Sequence, residues 1–143
     1  MAGWVQYERL GYASDQVWYP TMSTSGGGSS GWNASIARYK RIGNLIVAQA
    51  VLGGPSVTYG SGDWYLNGLP ATPRDDGNGV HLGHTYYYNV GRTSFGTVFY
   101  SGGQAKFAGI NATDNVFQIW NGSLFNGSGG DRSIFMRLFY EAA

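Results

Sequence analysis

Carboxylates are the first side chains in this sequence that could carry out chemistry. A glycosidase needs two carboxyl groups that face one cleft. Nearly all eight carboxylates lie in predicted loops or near the termini: Glu8, Asp15, Asp63, Asp75, Asp76, Asp114, Asp131 and Glu141. Carboxylates in such places usually face solvent and shape turns, which is the interpretation we favour for each of them. The sequence also lacks a nucleophile-elbow motif, so we expect no catalytic residues and no enzymatic activity.

The two histidines, His81 and His84, are the next candidates. They lie three residues apart, and successive side chains of a regular strand point to opposite faces. The two rings are therefore expected on opposite faces, where they cannot bind one metal ion together, and we expect neither a metal nor a cofactor. In a three-fold assembly either ring could meet its own copies at the axis, which would make association sensitive to pH between about 5 and 8.

A short acidic segment, residues 75–79 (Asp-Asp-Gly-Asn-Gly), resembles part of a calcium loop. It lacks the alternating oxygen ligands and the distal glutamate of an EF-hand. We therefore predict a turn at this position.

Exposed aromatic residues are the remaining candidates for ligand contact, because rings with Asn and Asp neighbours suit sugars. The candidates for stacking on a glycan are Trp32, Trp64, Tyr86, Tyr87 and Trp120. Burial is the interpretation that we favour for most of them, since large aromatic residues of a small sandwich are mainly core residues.

The composition indicates the fold that must position these side chains. The 143 residues include 24 Gly, 11 Tyr, 7 Phe and 5 Trp, and only 12% are charged, about half the usual fraction. Aromatic residues suit pleated strands and glycines suit the turns between them. A chain of this length needs only one core. We predict one all-β domain, an antiparallel, jelly-roll-like β-sandwich.

Charge and cysteine content exclude several classes of partner. The formal net charge is +1 and the nine Lys and Arg residues are scattered, so nucleic acid is not an expected partner. The absence of cysteine excludes a disulfide scaffold. The N-terminus lacks the pattern of a signal peptide and no apolar stretch approaches about 20 residues, so we expect synthesis in a cytoplasm and no membrane partner.

One hairpin is predicted from purely local signals. Residues 36–42 and 45–52 flank Gly43-Asn44, and Gly accepts a positive φ at the first position of a tight turn. The second arm, residues 45–52, is apolar on both alternating faces, although a half-solvated strand should alternate. Only one face can meet the core of a two-sheet sandwich, so an added segment or a neighbouring subunit is expected to cover the other, and we favour a subunit as the simpler interpretation.

Later segments have the same short, strand-like spacing. Strands are predicted over residues 64–69, 80–90, 94–100, 105–110, 116–120 and 133–141. In the second of these, strict alternation places Val80, Leu82, His84, Tyr86, Tyr88 and Val90 on one face and His81, Thr85, Tyr87 and Asn89 on the other.

The first 17 residues have no clean period and form either an arm or an edge strand, with the sandwich over residues 18–143. An arm would dock through its large and basic side chains. These are Trp4, Tyr7, Arg9, Leu10 and Tyr12.

Several short motifs resemble a known domain. They are residues 18–20 (Trp-Tyr-Pro), 37–43 (Ala-Arg-Tyr-Lys-Arg-Ile-Gly), 62–70 (Gly-Asp-Trp-Tyr-Leu-Asn-Gly-Leu-Pro) and 140–143 (Tyr-Glu-Ala-Ala). Together they resemble the β-sandwich domain that recurs in virion proteins of tailed phages, especially those of actinobacteria. The resemblance is good from about Trp18 to Pro70 and at the last residues, and weak between. The chain departs from the pattern at Ala37, where the family has glycine, and at the extra Gly68, which suggests a bulge.

The resemblance implies a role in a phage particle, because members of this family decorate heads or end tail fibres, commonly as trimers. The chain carries no stalk sequence, so we expect a capsid decoration or minor capsid protein on the virion surface. Its expected partners are its own copies, as a homotrimer, and the major capsid protein. The alternative is a receptor-binding module at the tail tip or on a tail fibre that contacts bacterial surface glycans.

Overall fold

The computed structural model describes residues 16–55, 57–88, 95–110, 116–121 and 131–143. In these ranges the chain forms twelve β-strands and no helix. The strands are β1 (Gln16–Val17), β2 (Thr21–Thr24), β3 (Ser29–Ser30), β4 (Asn33–Ile42), β5 (Leu45–Gly54), β6 (Thr58–Tyr59), β7 (Trp64–Asn67), β8 (Val80–Tyr88), β9 (Phe95–Ser101), β10 (Gln104–Ile110), β11 (Phe117–Ile119) and β12 (Arg132–Glu141). All their pairings are antiparallel, which confirms the predicted all-β, antiparallel class.

Ten of the strands form one hydrogen-bonded sheet. Its order is β1-β4-β5-β12-β8-β9-β10-β7-β2, with β11 added on β10, while β3 and β6 form a separate ribbon. The last strand, β12, lies between β5 and β8, so the C-terminal segment is in the middle of the sheet. No helix in the described ranges is long and apolar enough to cross a membrane.

One face of this sheet encloses the core, and strands from both of its halves contribute to it. Ile46 and Leu52 of β5 join Trp64 of β7, Phe107 of β10 and Leu138 of β12 in one buried cluster. The fold is therefore sandwich-like. Each such side chain stabilises the fold by about 1.5–3 kcal/mol through removal of its apolar surface from water.

The predicted hairpin is confirmed. Strands β4 and β5 pair along their length up to Ile42 and Leu45, and Gly43 in the turn has a φ of 61°. On β5 the alternate side chains are buried, whereas Val47 on the other face is 40% exposed. The second apolar face of β5 therefore has no complete cover from the described part of the chain, and its cover by another subunit stays a prediction.

The predicted faces of β8 are wrong from His84 to Tyr88, whereas Asn89 and Val90 lie outside the described residues. The register with β9 shifts by one residue between His81 and Gly83, so a bulge interrupts the alternation. Beyond it Thr85 and Tyr87 are buried, while Tyr86 and Tyr88 are exposed. A bulge adds one residue to one strand and reverses the faces of the residues that follow it.

The N-terminal segment is described only from Gln16. Gln16 and Val17 pair with Tyr39 and Arg38, so these two residues form an edge strand against β4. The predicted docking residues of the arm lie outside the described residues. They are Trp4, Tyr7, Arg9, Leu10 and Tyr12.

The C-terminal motif is held to the loop that follows β7. The Tyr140 hydroxyl donates to the carbonyl oxygen of Ala71 at 3.0 Å, and the Arg74 guanidinium contacts the Glu141 carboxylate at 3.1 Å. Gly68, predicted to mark a bulge, instead lies just after the last residue of β7, with a φ of 72°. There its carbonyl accepts a hydrogen bond from the indole N–H of Trp18.

Candidate functional site

Four of the aromatic residues predicted to contact a glycan are core residues. Trp32, Trp64, Tyr87 and Trp120 are each 5% exposed or less. A ring with so little exposed surface has no free face on which a sugar could stack, so the surface prediction is wrong for these four. Tyr86 alone among the candidates is exposed, and the bulge in β8 is the reason.

The same bulge brings the two histidines to one face. His81 precedes the shift and His84 follows it, and both rings line one cavity. The prediction that they lie on opposite faces is therefore wrong. We call the side of β4, β5, β12, β8 and β9 that faces away from the core the outer face.

Two rows of side chains cross the outer face, each with one residue from each of these five strands in register. The polar row is Arg38, Gln49, Arg137, His84 and Thr97. The apolar row is Ile36, Val51, Phe135, Tyr86 and Phe95. Residues of one row lie two positions along each strand from those of the other, which corresponds to about 7 Å.

Two cavities lie along these rows. The larger has a volume of about 1010 Å³ and is lined in part by Arg38, Lys40 and Phe139. The smaller has a volume of about 420 Å³, and its lining includes all five residues of the apolar row. Gln49, His84 and Arg137 line both cavities, so the polar row separates two spaces of different character.

Positive charge is concentrated in the larger cavity. Arg38, Lys40 and Arg137 line it, and none of the described residues around either cavity is a carboxylate. Within the described ranges no carboxylate forms an ion pair with Arg38 or Arg137. Glu141 lies on the outer face two residues beyond Phe139, but it contacts Arg74. Arg137 and His84 are direct cross-strand partners.

A hydrogen-bond chain orients one of the histidines. The Thr97 hydroxyl donates to the carbonyl oxygen of Gly83 at 2.5 Å, and His81 Nδ1 lies 3.3 Å from the same hydroxyl oxygen. Because the hydroxyl has only one proton to give, Nδ1 must donate to it. The neutral ring therefore has its lone pair at Nε2, where it can accept a hydrogen bond. Phe99 packs edge-on against the ring at 5.2 Å.

The apolar row carries three clustered aromatic rings. Between ring centroids, Tyr86 lies 5.3 Å from Phe95 in an edge-on arrangement and 6.0 Å from Phe135 at a tilted angle. Phe95 is 72% exposed and Phe135 is 44% exposed. Rings held in this way by their neighbours present apolar surface to a ligand at little conformational cost.

Metal binding has no support among the described residues, which contain no group of three or more His, Cys, Asp or Glu side chains that could hold an ion. The turn predicted at residues 75–79 is confirmed. The Asp75 carboxylate accepts hydrogen bonds from the backbone N–H groups of Gly77 and Gly79, at 2.9 and 3.2 Å. That carboxylate thus caps its own turn.

Sequence reasoning missed the residues of β12 that build the outer face. Phe135, Arg137 and Phe139 alternate with buried Ile134, Met136, Leu138 and Tyr140. The alternation of large apolar residues with Phe, Arg and Phe could have predicted that one face of this strand is buried and that the other presents two rings and a cation.

No protein-family model, curated protein or solved structure matches the chain. Any function assigned to it therefore rests on the geometry of its surfaces, together with the resemblance of the sequence motifs to a virion domain.

Proposed function

We propose that this chain is a structural protein of a tailed-phage virion, a capsid decoration or minor capsid protein that docks on the head shell as a symmetric oligomer. The motifs between Trp18 and Pro70 and the Tyr-Glu-Ala ending support this proposal. The two motif regions pair with one another, since Tyr140 and Glu141 of β12 pair with Ile46 and Leu45 of β5.

The observation that carries shell docking is the apolar edge of the sheet where the N-terminal segment enters. Val17 of β1 is 60% exposed and Tyr19 is 78% exposed. Ile42 of β4 is also exposed. Apolar side chains at a sheet edge are costly to leave in water and suit burial against a partner surface. The partner that we assign to this edge is the major capsid protein.

We also propose that the subunits are jelly-roll-like and assemble as a homotrimer. A second set of exposed apolar residues supports self-association, because Ile110 of β10 and Phe117 of β11 form a cross-strand pair at the surface. Copies related by three-fold symmetry could bury this pair against one another.

Adding the purified protein back to particles that lack it tests shell docking. Cryo-electron microscopy should show density at regular positions on the head. Replacing Val17 and Tyr19 with serine should reduce occupancy because it removes the apolar edge. Phe139→Ser is the matched control, since Phe139 is as exposed but lies on the outer face. If particles that receive the wild-type protein show no added density on the head, the proposal is overturned.

A host-glycan module at the tail is the second candidate. The exposed Tyr86, Phe135 and Phe95 favour it, because such rings are what sugars stack on. Density at the tail tip in the same experiment would support this candidate. So would binding to a glycan array that is lost in Tyr86→Ala and kept in Tyr19→Ala. A protein that binds no glycan on the array would exclude it.

A further inference from the structure

We propose that the two cavities of the outer face form one binding site for an acidic polysaccharide. In this site the apolar row holds sugar rings and Arg137 and Arg38 bind their carboxylates. The inference rests on the glycan-binding candidate above and names its class of ligand. It does not depend on docking to the head shell. It requires the outer face of β5 to be open to solvent, so cover of that face by another subunit would exclude it.

The charge distribution is the first argument. Arg38 and Arg137 stand on either side of Gln49 in the polar row and line the same cavity, with no carboxylate among its described lining residues. The two guanidinium groups carry like charges on the same face of the sheet. An anionic group bound between them interacts favourably with both, and Arg presents its N–H donors in the planar geometry that a carboxylate accepts.

The position of the rings relative to the charges is the second argument. Phe135 and Arg137 are two residues apart on β12, and Tyr86 and His84 are two residues apart on β8. Ring and cation are therefore separated by about 7 Å along β12, and ring and imidazole by the same distance along β8. A uronic acid has the matching pair of features in one unit, an apolar C–H face and a carboxylate on the same ring.

Hydroxyl groups of such a ligand have partners in the larger cavity. Gln49 offers an amide with both donors and an acceptor. His81 Nε2 of the neutral ring accepts a hydrogen bond, since Nδ1 is committed to Thr97. Polar groups of this kind beside cations and an apolar surface are typical of sites that fix the orientation of a ligand.

An extended acidic peptide fits this site less well. Such peptides commonly bind by adding a strand to an open sheet edge. The centre of the site is β12, whose backbone is already paired with β5 on one side and β8 on the other. A peptide would gain side-chain contacts here but no main-chain pairing.

Titration calorimetry with polygalacturonate oligosaccharides tests the proposal on the full chain. The matched control ligand is the methyl-esterified oligosaccharide, which keeps the rings and loses the charge. We expect binding of the acid, and at least tenfold weaker binding of the ester, because the ester lacks the charge-assisted contacts. Binding of the acid should also weaken as salt is raised.

Charge-matched variants locate the site. Arg137→Gln should weaken binding of the acid about tenfold, because it removes one charge-assisted contact. Arg41→Gln makes the same change in net charge and should leave binding unchanged, since Arg41 is paired with the core residue Ile46 and lies on the other face of β4. Arg38→Gln is the second test if Arg137→Gln does not fold.

Each alternative outcome is distinct. Polygalacturonate that does not bind, ester that binds as well as acid, or equal effects of Arg137→Gln and Arg41→Gln would each overturn the proposal. Polyglutamate that binds as tightly as polygalacturonate would assign the site to an acidic peptide instead. Array binding of neutral glycans alone would overturn the acidic class and keep the glycan-binding candidate. Head density in the add-back experiment bears on shell docking only.

Discussion

At the scale of single residues, Gly83 decides which side chains of β8 face the cavities. It has a φ of 154°, and a Cβ atom placed on it would lie 2.1 Å from the carbonyl oxygen of Arg137. No other residue type fits so close an approach of two backbones. The bulge at this glycine brings His81 and His84 to one face and turns Tyr86 outward.

We predict that Gly83→Ala lowers the free energy of unfolding by about 3 kcal/mol, because the new methyl group collides with β12 and the backbone is strained. Gly102→Ala is the matched control. Gly102 also has a positive φ, of 60°, but nothing lies near its missing Cβ, so we expect a loss of about 1 kcal/mol. Urea unfolding measures both values, and equal losses would contradict the role of the close approach.

Tyr140 links stability to alkaline pH. Burial raises its pKa to about 12, against an ordinary value of 10.0. Below pH 10 the hydroxyl is protonated in both the folded and the unfolded chain. Between pH 10 and 12 the unfolded chain loses this proton while the folded chain keeps it, so stability falls as pH rises.

We predict that Tyr140→Phe reduces this alkaline loss of stability. At about pH 8 the variant should be about 1 kcal/mol less stable than the wild type, because the bonds to Ala71 are gone. The difference should shrink by about pH 11. Chemical unfolding at the two pH values measures it, with Tyr19→Phe as an exposed control. A constant difference would show that Tyr140 does not contribute to the pH dependence.

At the scale of elements, β12 organises the sheet. It pairs with β5 over residues 132–141 and with β8 over residues 133–138. Its buried face supplies the core and its other face supplies Phe135, Arg137 and Phe139 to the site. Because these functional side chains stand on a strand paired on both sides, their positions are held rigidly.

The rate of hydrogen exchange of the backbone amides should depend on how many neighbours each strand has in the sheet. We expect the amides of β12, β5 and β8 to be the most protected, since opening them breaks pairing on two sides and exposes the core. The ribbon of β3 and β6 should exchange faster, because only two residues on each strand are paired. Exchange measured by mass spectrometry or NMR tests the order, and early exchange in β12 would contradict it.

At the scale of the whole molecule, the proposed trimer is the property that a solution measurement decides first. We predict a particle of three times the 15.4 kDa chain mass by light scattering. Replacing Ile110 and Phe117 with serine should give monomers, because their exposed apolar surface would be the contact between copies. Tyr19→Ser is the control, since that residue is assigned to the shell. A wild-type protein that is monomeric in solution would contradict the proposed trimer.

Local signals in the sequence determined the all-β class, the positions of most strands and the hairpin at Gly43-Asn44. Turn chemistry and alternation act between neighbouring residues, so they can be recognised without knowing what packs on them. The turn at Asp75 was recognisable for the same reason.

Only the tertiary structure decided which side chains share a surface. The order of the sheet places β12 between β5 and β8 and so brings Arg38, Arg137 and His84 into one row, although they are far apart in sequence. The bulge at Gly83 reverses the faces of β8, and packing with other strands buries Trp32, Trp64, Tyr87 and Trp120. Contacts between distant strands set these features, and no local pattern encodes such contacts.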